Sequence, residues 1–65
     1  MKIVVNGEIF EAQSSDLNAL LNELDYEPAL VATAVNETFV RAKERSATPL
    51  REGDRVEILT PRQGG

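Results

Sequence analysis

The residues with the clearest chemical potential are Gly64 and Gly65, the last two of the 65-residue sequence. With no Cβ on either, a carboxylate at Gly65 can be threaded into a slot too narrow for any side chain, with Gly64 supplying the access. Such a carboxylate, with a pKa of about 3.5, is ionised and nucleophilic at neutral pH. It becomes an acceptor for a second nucleophile only once a leaving group is attached. The rest of the chain offers little competing chemistry. It contains no cysteine and no histidine, so the commonest metal ligands, the usual general base and the thiol nucleophile are all missing. No metal or cofactor site is expected on this chain. Acidic residues outnumber Lys plus Arg by 11 to 7, giving a net charge of -4. No basic stretch could track a phosphate backbone, which argues against nucleic acid as a partner. The apolar run Ile3-Val4-Val5 is too short for a signal peptide core or a membrane span, so a cytoplasmic protein is expected.

The elements that must position this terminus are legible in order. Lys2-Ile3-Val4-Val5 is short and β-branched and meets Asn6-Gly7, a strong two-residue hairpin signal, so Glu8 to Ala12 should return as the second strand. That loop length pairs Val5 with Glu8 and Ile3 with Phe10 on one face, and Val4 with Ile9 and Lys2 with Glu11 on the other. The Ile3, Val5, Phe10, Ala12 side is assigned to the core. Ser14-Ser15-Asp16 supplies capping chemistry for a helix whose Leu17, Leu20, Leu21 and Leu24 form one apolar stripe. Asn18, Asn22 and Glu23 fall on its solvated side, and Pro28 should end it. Tyr26 is placed over the edge of the core.

Leu30 to Val35 reads as a buried strand, Asn36-Glu37 as a turn and Thr38-Phe39-Val40 as the strand coming back. Arg41 to Thr48 has no clear period and is read as irregular or as one helical turn. After a turn at Arg51 to Asp54, Arg55 to Thr60 alternates as a final strand, with Val56 and Ile58 inward and Glu57 and Leu59 outward. Pro61 stops the ladder by removing a donor. The domain therefore covers residues 1–60, and residues 61–65 form a tail that reaches roughly 17 Å when extended. One helix over one mixed sheet of four to five strands is an α+β, two-layer domain.

The chain resembles the ubiquitin-like β-grasp sulfur carriers, and most of all the thiamine-biosynthesis sulfur-carrier family. The resemblance runs through Val5-Asn6-Gly7, Ala34-Val35-Asn36, Leu50 to Ile58 and the closing Gly64-Gly65. Relatives often carry Val-Pro-Arg where this chain has Val40-Arg41-Ala42, so Arg41 is given no family role. The resemblance implies a carrier that is not itself an enzyme. An E1-like adenylating enzyme, using ATP and Mg2+, would activate the Gly65 carboxylate. Sulfur from a donor such as a cysteine desulfurase persulfide would replace AMP, and the resulting thiocarboxylate would pass its sulfur to thiazole synthase. A monomer that exchanges partners suits that cycle. Recognition should use the sheet face that the helix leaves uncovered, where register puts Val4, Ile9 and Leu59 beside charged Lys2, Glu11 and Glu57. Three other readings stay open at this level: a molybdopterin synthase small subunit with the same thiocarboxylate chemistry, a modifier conjugated to lysines, and a passive ubiquitin-like interaction module.

Overall fold

The computed structural model describes residues 1–61. Its elements are β1 (Lys2–Val5), β2 (Glu8–Glu11), α1 (Leu17–Glu23), a 3-10 turn (Pro28–Leu30), β3 (Ala32–Val35), β4 (Thr38–Val40), a 3-10 helix (Ala42–Ala47) and β5 (Arg55–Leu59). The five strands form one mixed sheet in the order β2-β1-β5-β3-β4. β5 lies in the middle, parallel to β1 and antiparallel to β3.

The first hairpin has the register set by its two-residue loop, with Lys2 opposite Glu11, Ile3 opposite Phe10, Val4 opposite Ile9 and Val5 opposite Glu8. Asn6 and Gly7 both have positive φ, 50° and 84°, the mirror-image turn whose twist matches that of the strands. The β3–β4 turn repeats the geometry with Asn36 at 50° and Glu37 at 71°.

Apolar side chains from one face of the sheet meet the leucine stripe of α1. Ile3, Ala12, Val40, Val56 and Ile58 are buried with Leu17, Leu20, Leu21 and Leu50, while Val5, Phe10, Leu24 and Tyr26 are half-buried against them. Each fully buried leucine or isoleucine contributes about 1.5–3 kcal/mol relative to an exposed one. The Asp16 carboxylate caps α1 by accepting from the Ala19 N–H at 2.8 Å.

Five expectations need correction. The third strand begins at Ala32, because Leu30 closes a 3-10 turn started by Pro28. The last strand stops at Leu59, one residue short of Thr60. Helix α1 ends before Pro28 exerts any effect: Asp25 adopts φ 63°, and the N–H groups of Asp25 and Tyr26 donate to Asn22 O and Leu21 O at 3.1 and 2.9 Å. Paired bonds of this kind close a helix through a left-handed residue. Glu23 is not a free surface carboxylate. It accepts from the Gln13 and Ser14 N–H groups and from Ser14 Oγ at 2.6 Å, tying the β2–α1 connection to the last turn of the helix. These bonds hold its carboxyl below the ordinary carboxylate range, the Ser14 hydroxyl being the largest cause. The 41–48 segment is more ordered than expected, with six residues in 3-10 conformation.

Candidate partner surface at the root of the C-terminus

The two residues singled out for chemistry, Gly64 and Gly65, lie outside the described residues. What the structure places is the strand from which they continue. β5 is flanked on both sides, and the residues pointing away from the helix make the open face of the sheet.

Alternation along each strand puts Val4, Ile9, Ala32, Ala34, Phe39 and Leu59 on that face, interleaved with Lys2, Glu11, Arg55 and Glu57. Of the three expected patch residues, Ile9 is 76% exposed and Leu59 67% exposed, whereas Val4, flanked by β2 and β5, is half-buried. Ile9 and Leu59 do not adjoin: Ile9, on edge strand β2, is level through Val4 with Arg55, four residues before Leu59 on the central strand. Leu59 instead groups with Phe39, itself 67% exposed, across β3. Together with Ala32, Ala34 and Glu57 they line a shallow hollow of about 70 Å³. Small side chains on β3 create it, because Ala34 lies opposite both Phe39 and Glu57 and Ala32 lies opposite Leu59. The hollow thus has an apolar floor with the Glu57 carboxylate at its rim, beside Leu59, the last residue of β5. Phe39 was missed as a surface residue, although the signal was available: with Val40 inward, period-2 alternation puts Phe39 outward.

Two polar devices hold this face in place. Beyond Val5, where the β1 ladder stops, the Asn6 side chain takes over: its Oδ1 accepts from the Ile58 N–H at 2.8 Å and its Nδ2 donates to Ile58 O at 3.1 Å. Behind β3, Arg45 is only 4% exposed. Its guanidinium donates to Thr33 Oγ1, Pro28 O and Val31 O at 3.1, 3.0 and 2.7 Å, and Thr33 Oγ1 donates onward to Val40 O at 2.8 Å. The buried charge is tolerated because each of its three nitrogens donates a hydrogen bond. At the other end of the sheet the Met1 ammonium pairs with Glu11 at 2.9 Å and donates to Ala12 O at 3.0 Å. The Glu11 hydrogen bond raises the amine above its ordinary value of 8.0, and the same bond holds Glu11 below 4.5. Among the described residues no group of three or more His, Cys, Asp or Glu side chains converges on a metal position, and no helix is long and apolar enough to cross a membrane.

Comparison with known proteins fits this architecture. The sequence model of the ThiS family matches residues 2–65. The chain is similar to the sulfur carrier protein ThiS of Thermus thermophilus, 36% identical over 61 residues that span 94% of this chain and 95% of that one. It is also similar to the uncharacterized protein ycf40 of Porphyra purpurea, 33% identical over 66 residues, covering 100% and 93% of the two chains. The crystal structure of the thiamine biosynthesis protein ThiS from Geobacter metallireducens superposes with a TM-score of 0.85 at 26% identity, each chain covered completely. That protein's solution structure gives 0.81 at 28% identity, with 100% of this chain and 88% of that one covered.

Proposed function

The chain belongs to the ThiS family, and on that footing we propose that it carries sulfur on the Gly65 carboxylate for construction of the thiazole ring of thiamine. The observation that carries this reading is the extent of the family match, which runs through the two closing glycines, together with the like-sized sulfur carrier that covers nearly the whole chain. In the proposed cycle a Gly65 carboxylate oxygen attacks the α-phosphorus of ATP on an adenylating enzyme and pyrophosphate leaves. A persulfide sulfur then attacks the acyl carbon and expels AMP. A partner thiol cleaves the S–S bond, so the carrier keeps a thiocarboxylate and the two partner thiols leave as a disulfide. ATP, Mg2+ and the cysteine chemistry belong to the partners, and thiazole synthase is the acceptor. The domain's part is to present the terminus and to be recognised, and the Leu59–Phe39 hollow beside the root of the tail is the surface assigned to recognition.

Two measurements test this. Intact-mass analysis of protein incubated with ATP, Mg2+, a sulfide source and the cognate adenylating enzyme should show one oxygen replaced by sulfur, with fragmentation confining the change to Gly65. An unmodified terminus would overturn the proposal. Leu59→Glu should weaken binding to the adenylating enzyme roughly tenfold or more while leaving the melting temperature within a few degrees, since an exposed side chain contributes little to stability. Unchanged affinity would remove the hollow from the interface.

A further inference from the structure

Because β5 is parallel to β1 but antiparallel to β3, two similar hairpin turns fall at opposite ends of the same central strand. The turn after β3 reaches the start of β5: Asn36 Oδ1 accepts from the Arg55 N–H at 3.0 Å, and Asn36 Nδ2 donates to Asp54 Oδ1 at 3.0 Å. The turn after β1 reaches its end. There the Asn6 N–H donates to Val56 O at 2.9 Å, and the side-chain amide then bonds both the N–H and the carbonyl of Ile58. A carboxamide has the same donor and acceptor as a peptide unit, so Asn6 stands in for the ladder residue that β1 lacks once the chain has turned. On the opposite edge, β3 pairs with β5 out to Ala32 opposite Leu59. Ile58 and Leu59 are therefore gripped from both sides, and the chain leaves the sheet at Thr60 and Pro61. Proline has a fixed φ and no N–H to donate.

We propose that Asn6 is a positioning residue for the C-terminus: its carboxamide fixes the last rung of the β5 ladder, and with it the point at which Thr60 and Pro61 leave the sheet. This rests on the carrier reading of Gly65. A terminus that must enter a narrow slot gains from a rigid root, because the orientation is then held before the encounter and not lost on binding.

The variants Asn6→Gly and Asn36→Gly provide the test. Each removes one side-chain clamp on β5, and glycine accepts the positive φ of both positions without strain. The two should lose comparable stability, so any difference between them reports position. In Asn6→Gly, amide exchange at Ile58, Leu59 and Thr60 should rise at least tenfold relative to Asn36→Gly. In pyrophosphate release with ATP, Mg2+ and the adenylating enzyme, its KM for the carrier should rise roughly tenfold, about 1.4 kcal/mol, with kcat little changed. Should Asn6→Gly fail to fold, Asn6→Asp keeps the acceptor for the Ile58 N–H and takes its place. Equal KM values for the two variants, or unaltered exchange at Leu59 and Thr60, would overturn the positioning role. Wild-type protein that releases no pyrophosphate would overturn the carrier reading instead, and the exchange comparison would still decide whether Asn6 holds the strand end.

Discussion

The two hairpins that flank β5 share a turn but not a backing. The β1–β2 half lies under α1, and its inward residues Ile3 and Ala12 are buried among leucines. The β3–β4 half joins the same leucine cluster through Val40, and adds a polar backing of its own. Its inward position at Thr33 is filled by a buried hydroxyl that holds the Arg45 guanidinium, carried by the 3-10 helix Ala42–Ala47. Seven residues of α-helix are little to cover a five-stranded sheet, and on the second flank a hydrogen-bonded cation completes what apolar burial begins. The Leu59–Phe39 hollow sits on the sheet face of the second flank. The proposed recognition surface therefore rests on the polar support.

Removing that support is the most severe way to break the comparison. Arg45→Ala would leave Pro28 O and Val31 O without their buried donor and deprive Thr33 Oγ1 of one bond, at a cost of about 3 kcal/mol or more. Against a total stability of roughly 3–10 kcal/mol for a chain of this length, the loss should be visible as a large drop in the urea midpoint. Arg45→Lys, a single ammonium unable to span three acceptors, should recover only part. Amide exchange should accelerate at Thr33 and Val40 before Ile3. A loss below about 1 kcal/mol would mean that water replaces the guanidinium readily and that the two flanks are backed alike.

The turns themselves allow a smaller test. Gly7 meets the left-handed requirement of the first hairpin at no cost, whereas Glu37 meets it at φ 71° with a side chain. A side-chain-bearing residue in that region is disfavoured by about 1–2 kcal/mol, partly offset in any glycine variant by the freer unfolded chain. Glu37→Gly should therefore raise stability by about 0.5–1 kcal/mol, and Gly7→Ala should lower it by a similar amount. Equal and unchanged urea midpoints would show that neither turn limits stability.

The apolar flank was the part written plainly in the sequence. Asn6-Gly7 fixed the loop length and hence the register, and the 3, 4 and 7 spacing of the leucines fixed the buried side of α1. The polar flank was hidden because its key residue lies in a charged, aperiodic stretch: nothing local to Lys43-Glu44-Arg45-Ser46 marks Arg45 as the one that turns inward, since its acceptors come from residues 28, 31 and 33. Glu23 escaped for the same reason, its partners lying nine and ten residues back. On the open face, alternation located Ile9 and Leu59 but not their separation, which depends on the strand order. The clamp by Asn6 on Ile58 depends on a parallel pairing across 52 residues, invisible to any local pattern.

The gentlest test uses pH, and it separates the halves again. The Met1–Glu11 pair belongs to the β1–β2 half, and among the described residues it is the ion pair the structure shows. Its amine is raised above 8.0, so the stability it contributes is complete below pH 8 and is lost as pH climbs through the folded value. Glu11 and Glu23 are lowered from 4.5, so theirs is complete above that pH and is lost as pH falls through their folded values. Between these limits stability should be flat with respect to all three groups. Glu11→Gln should flatten the alkaline decline and leave an acid limb carried by Glu23, whose anchor is the Ser14 hydroxyl and two backbone N–H groups and not a charge. Both groups are solvent-accessible, so the effect should be small and the Glu11 part should shrink in salt, while the Glu23 part should persist. Urea midpoints taken from pH 3 to 10, at low and high salt, would check this; an alkaline limb undiminished by Glu11→Gln would show that Glu11 is not what holds the amine protonated.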